Sequence, residues 1–348
     1  MRRQDSAVLV RGDGVAAYCC VHLLQQASLP VVLDRPDRPR LPAIMLSESA
    51  LALIADAFGQ KDLFRDLPRI RTRVVLWGSG ADPVALPHSA VVVSEEMLLD
   101  SLRPTAIPIL DPAREGGVEL TDGSRPDWRV LASSHGELES VEHRFGSRTA
   151  RAFSVDLQNG EGAGCWVEST EEGWLFLVGN EGKGWLLSVG AQAPVSLERS
   201  RLVAKQIGRL GESIGEFPAS PRITVPLCRA GGERWLACGT AALAFDPLSG
   251  DGTAHAVREA ILATAAIRAV FAGAPAEELL AHYEARLTAG FDRHLAYCAG
   301  FYRAGGQGAW WCAELQALER GRAWCQGRLS QLPAFRYRLN GYQLEAIA

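Results

Sequence analysis

A glycine-rich turn near the N-terminus has the residue types and the spacing that bind a phosphate group. Gly12, Gly14 and Ala17 follow a short apolar stretch, Ala7 to Val10, which is predicted as a strand. The first glycine lets the backbone bend, the second lets it approach a phosphate, and the small residue lets a helix pack on the strand. The free N–H groups and the dipole of that helix favour an anion. The turn therefore predicts the pyrophosphate site of a dinucleotide.

The residues after this turn complete the pattern of a βαβ unit. The stretch 18–26 is predicted as a helix, and 31–33 as a second strand that ends at Asp34. The helix supplies the crossover that two parallel strands need. Asp34 is placed to accept hydrogen bonds from a ribose, and we add the neighbouring Arg35 to the predicted cofactor-binding residues. Asp13 favours the alternative, a tight turn that binds no nucleotide, because its carboxylate would repel a pyrophosphate unless it points away.

A second motif lies more than two hundred residues further along the chain, between 238 and 254. A predicted strand, 234–237, leads into the sequence Gly-Thr-Ala-Ala at 239–242, which is followed by Asp-Pro-Leu-Ser-Gly-Asp-Gly at 246–252 and by a predicted helix at 253–272. Pro247 fixes φ, and Gly250 and Gly252 permit a close approach of the backbone to a ligand. The N-terminus of the helix then favours an anion at this loop.

Taken together, the two motifs resemble the two ends of the FAD site in class A flavoprotein monooxygenases and the related tryptophan halogenases. The usual distal motif of that family is Gly-Asp-Ala-Ala, then Asp-Pro-(Leu/Phe), then a glycine-rich turn and a helix. The resemblance implies that FAD is the cofactor and that the loop stabilises negative charge on the reduced ring. The cofactor-binding residues that it implies, with those of the first turn, are Gly12, Gly14, Ala17, Asp34, Arg35, Gly239, Asp246, Gly250 and Gly252.

Smaller similarities extend over most of the chain. The segment 46–51 resembles the family's Gly-Glu-Ser segment beside the flavin, which makes Glu48 an implied catalytic residue. The distal motif adds Pro247 and Ser249 to the implied catalytic residues. The stretch 150–156 resembles a strand that ends in Asp-Ala-(Thr/Ser)-Gly, 173–176 resembles a Gly-Trp-x-Trp strand, and 283–311 resembles the C-terminal helices of halogenase-like members.

Three departures from the family pattern concern residues that bind the cofactor. Thr240 replaces the aspartate that binds the ribityl or pyrophosphate region, residues 157–160 are Leu-Gln-Asn-Gly rather than Ala-Thr-Gly, and no arginine opens the helix near Ser94. The ring site is therefore expected to be preserved, while FAD is expected to be held weakly along the rest of its length. The alternative is a non-catalytic or degenerate flavoprotein-fold partner.

The resemblance implies that reduced FAD and O₂ form a C4a-hydroperoxide that hydroxylates an aromatic group. The implied substrates are an aromatic small molecule, a natural-product intermediate, or a tryptophan in a peptide or protein. NAD(P)H or a partner flavin reductase is the implied electron donor. Further alternatives are a halogenase, for which Lys61 would have to relay hypohalous acid, and a C=C reductase. His135, His143 and His255 are candidate bases, and spacing selects none of them.

The order of predicted elements indicates an α/β fold. We expect a Rossmann-like FAD-binding domain with an inserted, mostly antiparallel β-sheet substrate domain and a C-terminal helical segment; within this plan, 197–210 is predicted as a helix. The expected parts are 1–75 (first part of the FAD-binding domain), 76–235 (mixed, with a middle FAD-domain part at about 90–156 and the substrate domain at about 160–225), 236–275 (distal motif) and 276–348 (C-terminal helices).

Composition narrows the class of protein and its partners. The net charge is -4 and the pI is near 6.0, which gives no general attraction to nucleic acid. The eight cysteines form no Cys-x-x-Cys pair and no zinc-like cluster with histidine, so no metal site is expected. Reduced thiols indicate a cytoplasmic protein, and no membrane span is predicted.

Overall fold

The structure is a computed structural model that describes residues 7–104, 126–133, 138–158, 162–191 and 193–347. Most of the loop predicted at 104–127 lies outside these ranges. The helices are α1 (Val15–Gln26), α2 (Glu48–Phe58), α3 (Glu95–Ser101), α4 (Ala193–Glu198), α5 (Gly252–Phe271), α6 (Ala276–Gly305) and α7 (Ala309–Leu329).

The strands alternate with these helices at both ends of the chain and dominate its middle. They are β1 (Val8–Arg11), β2 (Val31–Asp34), β3 (Ile44–Ser47), β4 (Ile70–Leu76), β5 (Val84–Val93), β6 (Trp128–Leu131), β7 (Val141–Arg144), β8 (Thr149–Leu157), β9 (Gly164–Thr170), β10 (Gly173–Asn180), β11 (Lys183–Gly190), β12 (Ile207–Pro218), β13 (Arg222–Val225), β14 (Cys228–Arg229), β15 (Arg234–Ala237), β16 (Leu243–Ala244), β17 (Tyr337–Asn340) and β18 (Gln343–Ala346).

The predicted βαβ unit is confirmed, and it forms the centre of a sheet with the order β14-β15-β6-β1-β2. β1 pairs in parallel with β2 on one side and with β6 on the other, and β15 pairs in parallel with β6. The carboxyl ends of β1, β6 and β15 therefore meet at one edge. This edge carries both glycine-rich motifs, and it is where an open α/β sheet binds its ligand.

The second sheet is mostly antiparallel and has the order β12-β8-β11-β10-β9-β4-β5-β3. The predicted hairpin between β9 and β10 is confirmed, and β4 and β9 are a parallel pair within this sheet. The sheet takes strands from 44–93 as well as from 149–218, so chain segments on both sides of β6 contribute to it. The α/β fold with an antiparallel sheet and C-terminal helices is thus confirmed, while the domain boundaries stay predictions.

The C-terminal region packs against the first sheet through its helices. α5 lies on α1, and α6 packs against both α5 and α7. The chain then continues into the β17–β18 hairpin, which lies on α5. A small sheet with the order β16-β13-β7 joins the distal motif to the middle of the chain. Among the described residues, no helix is long and apolar enough to cross a membrane.

The predicted helix at 197–210 is wrong. The structure has the short helix α4 at Ala193–Glu198, and Ile207–Pro218 is the strand β12, paired with β8. The carboxylate of Glu168 accepts the N–H groups of Arg201 (2.6 Å), Leu202 (3.1 Å) and Val203 (2.9 Å), which satisfies these donors without a helix.

Residues 150–156, which resemble the family's strand ending in Asp-Ala-(Thr/Ser)-Gly, lie outside the first sheet. These residues belong to β8 in the antiparallel sheet, and Asp156 pairs with Lys183 (2.5 Å) and Arg209 (2.7 Å) near its surface. The strand beside β1 is β6, which is followed by Ala132. Asn159 and Gly160, part of the same comparison, lie outside the described residues.

Candidate cofactor and substrate site

The two glycine-rich motifs meet at the edge of the first sheet. Gly12 has φ +153°, and a Cβ on it would lie 3.0 Å from the Cβ of Ala132 and 3.2 Å from that of Ala17. Gly239 has φ +55°, and a Cβ on it would lie 2.9 Å from the Cβ of Ala16. The sequence keeps all five positions small because the ends of three strands and α1 converge here.

A buried ion-pair cluster lies at the first turn. The side chain of Asp13 is fully buried, with Oδ1 2.8 Å from Arg38 Nε and Oδ2 2.7 Å from Arg40 Nη1. Arg38 also donates to Glu95, the first residue of α3, whose carboxylate accepts the N–H of Leu41 at 2.9 Å. Two carboxylates therefore share the guanidinium groups that lie closest to the turn.

The guanidinium of Arg38 also lies against the second glycine of the turn. A Cβ on Gly14 would be 3.4 Å from Arg38 Nη2. Gly14 is the N-cap of α1 and has no side chain with which to cap the first N–H groups of that helix. The backbone N–H groups at the N-terminus of α1 can therefore receive an anion. Arg38, which lies beside them, already forms ion pairs with the carboxylates of Asp13 and Glu95.

The other residues predicted to hold the cofactor have protein partners of their own at this edge. Asp34 lies 3.4 Å from Arg11, and Arg35 donates to the hydroxyl of Tyr18 at 3.4 Å. Thr240 uses its hydroxyl to donate to the carbonyl of Ser133 at 3.3 Å. The hydroxyl of Thr240 therefore has a hydrogen-bond partner within the protein, at the position where the resembling family has an aspartate.

The N–H of Gly239 donates to the carboxylate of Glu259 at 2.7 Å. Glu259 lies on α5 and is buried, and burial raises the pKa of this carboxyl well above its ordinary value. The carboxyl therefore takes up a proton far more readily than an exposed glutamate does. It supports the backbone of the distal motif from beneath.

Asp246 anchors the distal loop through a second buried cluster. Its carboxylate accepts hydrogen bonds from the N–H of Leu248 and the hydroxyl of Tyr302, both at 2.9 Å, and it lies 3.2 Å from Arg148 Nε. The Asp246 N–H donates to His294 Nε2 at 2.9 Å. Asp246 was predicted to bind the cofactor directly, and the structure shows it fully buried among protein partners.

The cluster continues into the antiparallel sheet and the C-terminal helices. Arg148, itself fully buried, makes a second ion pair of 2.8 Å with Glu314 on α7. Trp174 on β10 donates to the hydroxyl of Tyr302 at 3.1 Å. The flavin-type loop is therefore fixed by β10, α6 and α7 at once. Trp174 belongs to the hydrophobic core.

The loop after Asp246 ends at the start of a helix. Pro247 begins a 3₁₀ turn at Pro247–Ser249, and Gly250 follows with φ +63°. Gly252 is the first residue of α5, and a Cβ on it would meet nothing within 4 Å. Asp251 is the N-cap but makes no side-chain capping bond; its carboxylate pairs with Arg258 at 2.9 Å. Asp251 thus leaves the first N–H groups of α5 uncapped, which suits an anionic group of a ligand.

This loop borders a cavity of about 700 Å³, a size that accommodates a small molecule. Ser249 lies in the wall, whereas Glu48 and Pro247 lie outside it; Ser47 and Ser49 contribute in place of Glu48, which is exposed at the start of α2. The wall of the cavity contains residues of β3, α2, α5 and α6 as well as residues of the loop and its flanks. They include Met45, Ser47, Ser49, Phe245, Ser249, Gly250, Asp251, His255, Leu287, Gly290, His294 and Tyr297.

His255 is the predicted candidate base that the structure places in the cavity. Its ring stacks on Phe245 with centroids 4.0 Å apart, and burial lowers the pKa of the imidazole. Burial lowers the pKa of His294 to about 3, so its ring is neutral and accepts the Asp246 N–H. His143 instead packs on Trp324, and His135 lies outside the described residues.

The structure fits FAD at one end and opposes it at the other. At the ring end, Gly250 and Asp251, which directly precede α5, line a cavity, and a Cβ on Gly252 would meet no atom within 4 Å. At the pyrophosphate end, Asp13 and Glu95 place two carboxylates on the arginines that an incoming phosphate would need. Sequence patterns found the turn and the loop but missed both buried clusters, because their members lie far apart in the chain. The two Arg-Pro pairs at 35–36 and 38–39, followed by Arg40, were a local signal for the first of them.

The fold is similar to those of several solved structures. It is similar to the peptidyl tryptophan dihydroxylase QhpG, which is essential for tryptophylquinone cofactor biogenesis, with 19% identity, 88% of this chain and 78% of that chain covered, and a TM-score of 0.71. The flavin-dependent halogenase CmlS gives 17% identity, 94% and 72% coverage, and a TM-score of 0.73. The myxobacterial chondrochloren halogenase CndH gives 17% identity, with 97% of this chain and 94% of that chain covered, and a TM-score of 0.72. No protein-family model and no curated protein matches the chain.

Proposed function

We propose that the protein is an FAD-dependent monooxygenase that hydroxylates an aromatic group, either in a small molecule or in a peptide. The observation that carries this proposal is the loop Asp246 to Gly252, which lies against a cavity of about 700 Å³. Similarity of fold to flavin-dependent halogenases and to a peptidyl tryptophan dihydroxylase supports it. Bound FAD would supply the oxygen-transfer chemistry, with electrons from NAD(P)H or a partner flavin reductase.

The residues of the cavity have separate tasks under this proposal. The N–H groups at the start of α5 would stabilise negative charge on the pyrimidine edge of the ring. Phe245 and Leu287 form an apolar surface beside the loop, which helps to exclude water. His255, neutral because of its burial, would hold or accept a proton of the substrate. Asp246 and Arg148 keep the loop in place from behind.

The visible absorbance spectrum of the purified protein tests the proposal. We expect a flavin spectrum, or its appearance when FAD is added, and consumption of O₂ when NAD(P)H or a reductase supplies electrons. A protein that neither carries FAD nor takes it up would overturn the proposal. A product without new oxygen from labelled O₂ would favour a C=C reductase instead. Halogenation gains no support, because Lys61 is exposed and lies outside the cavity wall.

The second candidate is a non-catalytic partner protein with a flavoprotein fold. The Asp13–Arg38–Glu95 cluster favours it, because it places negative charge at the pyrophosphate position. Thr240 also supports it, since its hydroxyl is bonded within the protein. This candidate predicts that a stable, folded protein shows no O₂ consumption even with excess FAD and reductant. Turnover under these conditions would exclude it.

A further inference from the structure

We propose that the cavity beside the distal loop binds an aromatic substrate that carries a carboxylate. The proposal deepens the function given above and rests on it for the chemistry, although binding itself can be measured without a cofactor. The carboxylate can belong to a free aromatic acid or to an acidic residue next to an aromatic one in a peptide. The two sources share the same recognition chemistry.

One wall of the cavity presents two arginines along a single helix. Arg286 and Arg293 are exposed on α6 and line the cavity, and Gly290 lies between them. A Cβ on Gly290 would meet only Arg293 Nη2, at 3.8 Å, so the glycine leaves open space between the two guanidinium groups. Within the described ranges, neither arginine has an acidic partner in an ion pair. Both charges are therefore available to a ligand.

A third arginine reaches the cavity from the antiparallel sheet. Arg73 on β4 is half-buried, and its Nη2 lies 3.2 Å from Nε2 of His88 on β5. Its guanidinium also lies beside the thiol of Cys165 on β9, where it opposes the rise in the pKa of that thiol that burial causes. Arg73 therefore adds a third positive charge to the wall of the cavity.

The acidic residues of the cavity do not offset these charges. Asp251 is paired with Arg258 on α5. Glu259 accepts the N–H of Gly239, and burial raises the pKa of its carboxyl, which favours the neutral form. His88 and His255 also line the cavity, and burial lowers the pKa of both, which favours the neutral imidazole and leaves the arginines as the cations of the wall. The balance leaves Arg73, Arg286 and Arg293 as net positive charge, and a guanidinium matches a carboxylate by two parallel hydrogen bonds.

The apolar part of the wall accounts for the aromatic half of the ligand. Phe245 lies next to the distal loop, and Tyr297 lies one turn beyond Arg293 with 58% of its surface exposed. The guanidinium of Arg286 lies 5.2 Å from the ring centre of Phe335, so an aromatic surface continues to the rim. Flat apolar faces beside fixed cations are what an aromatic acid requires.

Calorimetric titration with matched ligand pairs tests the proposal. The first pair is N-acetyltryptophan and N-acetyltryptophanamide, and the second is the capped peptide Glu-Trp-Glu and its neutral form Gln-Trp-Gln. For at least one pair, we expect the acid to bind the wild-type protein about tenfold more tightly than its neutral form at low salt, with a smaller difference at high salt. The pair with the larger difference identifies the source of the carboxylate.

Variants of the cavity wall locate the effect. The double substitution Arg286→Gln with Arg293→Gln should remove most of the preference for the acid, while Arg320→Gln, an exposed arginine on α7, should leave it unchanged. Gly290→Leu fills the space between the two arginines and should weaken all four ligands. Equal affinity for both members of each pair, or a preference that survives the double substitution, would overturn the proposal. Titrations are repeated with FAD and followed by visible absorbance, so that failure to bind flavin is recorded separately from failure to bind the acid.

Discussion

Arg38 Nε lies 2.8 Å from Oδ1 of Asp13 at the turn where a dinucleotide phosphate would approach, and the carboxylate is fully buried. The same guanidinium also pairs with Glu95. A pyrophosphate that reached this turn would have to compete with two carboxylates for one arginine, and it would be repelled by both. If the chain binds FAD as proposed, this cluster should weaken the binding.

The substitution Asp13→Asn should strengthen FAD binding about tenfold, because it removes a negative charge beside the phosphates and releases Arg38. It should also lower the free energy of unfolding by about 2–4 kcal/mol, since a buried ion pair is broken. Quenching of FAD fluorescence measures the first effect, and urea denaturation the second. Asp37→Asn, at an exposed site on the same loop, is the control. FAD binding no tighter than in the control would show that the cluster does not compete with the cofactor.

Gly12 and Gly252 should respond differently to alanine, although both belong to glycine-rich motifs. Gly12→Ala adds a methyl group 3.0 Å from the Cβ of Ala132 at φ +153°, so the free energy of unfolding should fall by about 2–4 kcal/mol. Gly252→Ala meets no atom within 4 Å in a helical position, so stability should change by less than about 1 kcal/mol.

Flavin uptake separates the two roles further. Gly252→Ala should weaken FAD binding while the protein stays folded, because the methyl group occupies space at the ring end. Urea denaturation and FAD titration of the same samples give both values. Equal losses of stability in the two variants would contradict the assignment of Gly12 to packing and Gly252 to the ligand side.

The sequence was sufficient for those parts of the fold in which local pattern and environment agree. The βαβ unit was predictable because its strand, turn and helix each carry their own signal within about thirty residues. The segment 197–210 was not, because Glu168, more than thirty residues earlier, takes the N–H groups at 201–203. Local pattern also does not reveal that β6, about 120 residues further along the chain, pairs with β1.

The candidate site shows the same limit. The motif at 246–252 correctly predicted a loop that ends at a helix N-terminus, because Pro247 and the two glycines dictate its backbone. It did not reveal what Asp246 contacts, since Arg148 and Tyr302 are about a hundred and about sixty residues away and carry no local signal. The arginines of α6 were missed for the same reason.

Glu259 should make stability depend on pH. Burial raises the pKa of this carboxyl in the folded state, so its contribution is greatest below the unfolded pKa of 4.5 and is lost as pH rises towards the folded pKa. Relative to Glu259→Gln, the wild-type protein should therefore lose free energy of unfolding as the pH rises above the unfolded pKa of 4.5. Denaturation across this range measures the difference. A constant difference between the two proteins would mean that Glu259 keeps an ordinary pKa.

The Asp246 cluster should stabilise the fold rather than contact a cofactor directly. Asp246→Asn leaves Arg148 with only Glu314 as an ionic partner in a fully buried site, so the free energy of unfolding should fall by about 3 kcal/mol. Tyr302→Phe removes one hydrogen bond to the same carboxylate and should cost about 1–2 kcal/mol.

A double-mutant cycle of these two changes should give a coupling energy of about 1 kcal/mol, because the residues touch. Thr253→Ala, at the partly exposed second residue of α5, is the control and should change stability by less than about 0.5 kcal/mol. If Asp246→Asn were as stable as this control but had lost FAD binding, the carboxylate would act on the cofactor itself. The loop would then have to open away from Arg148 for FAD to bind.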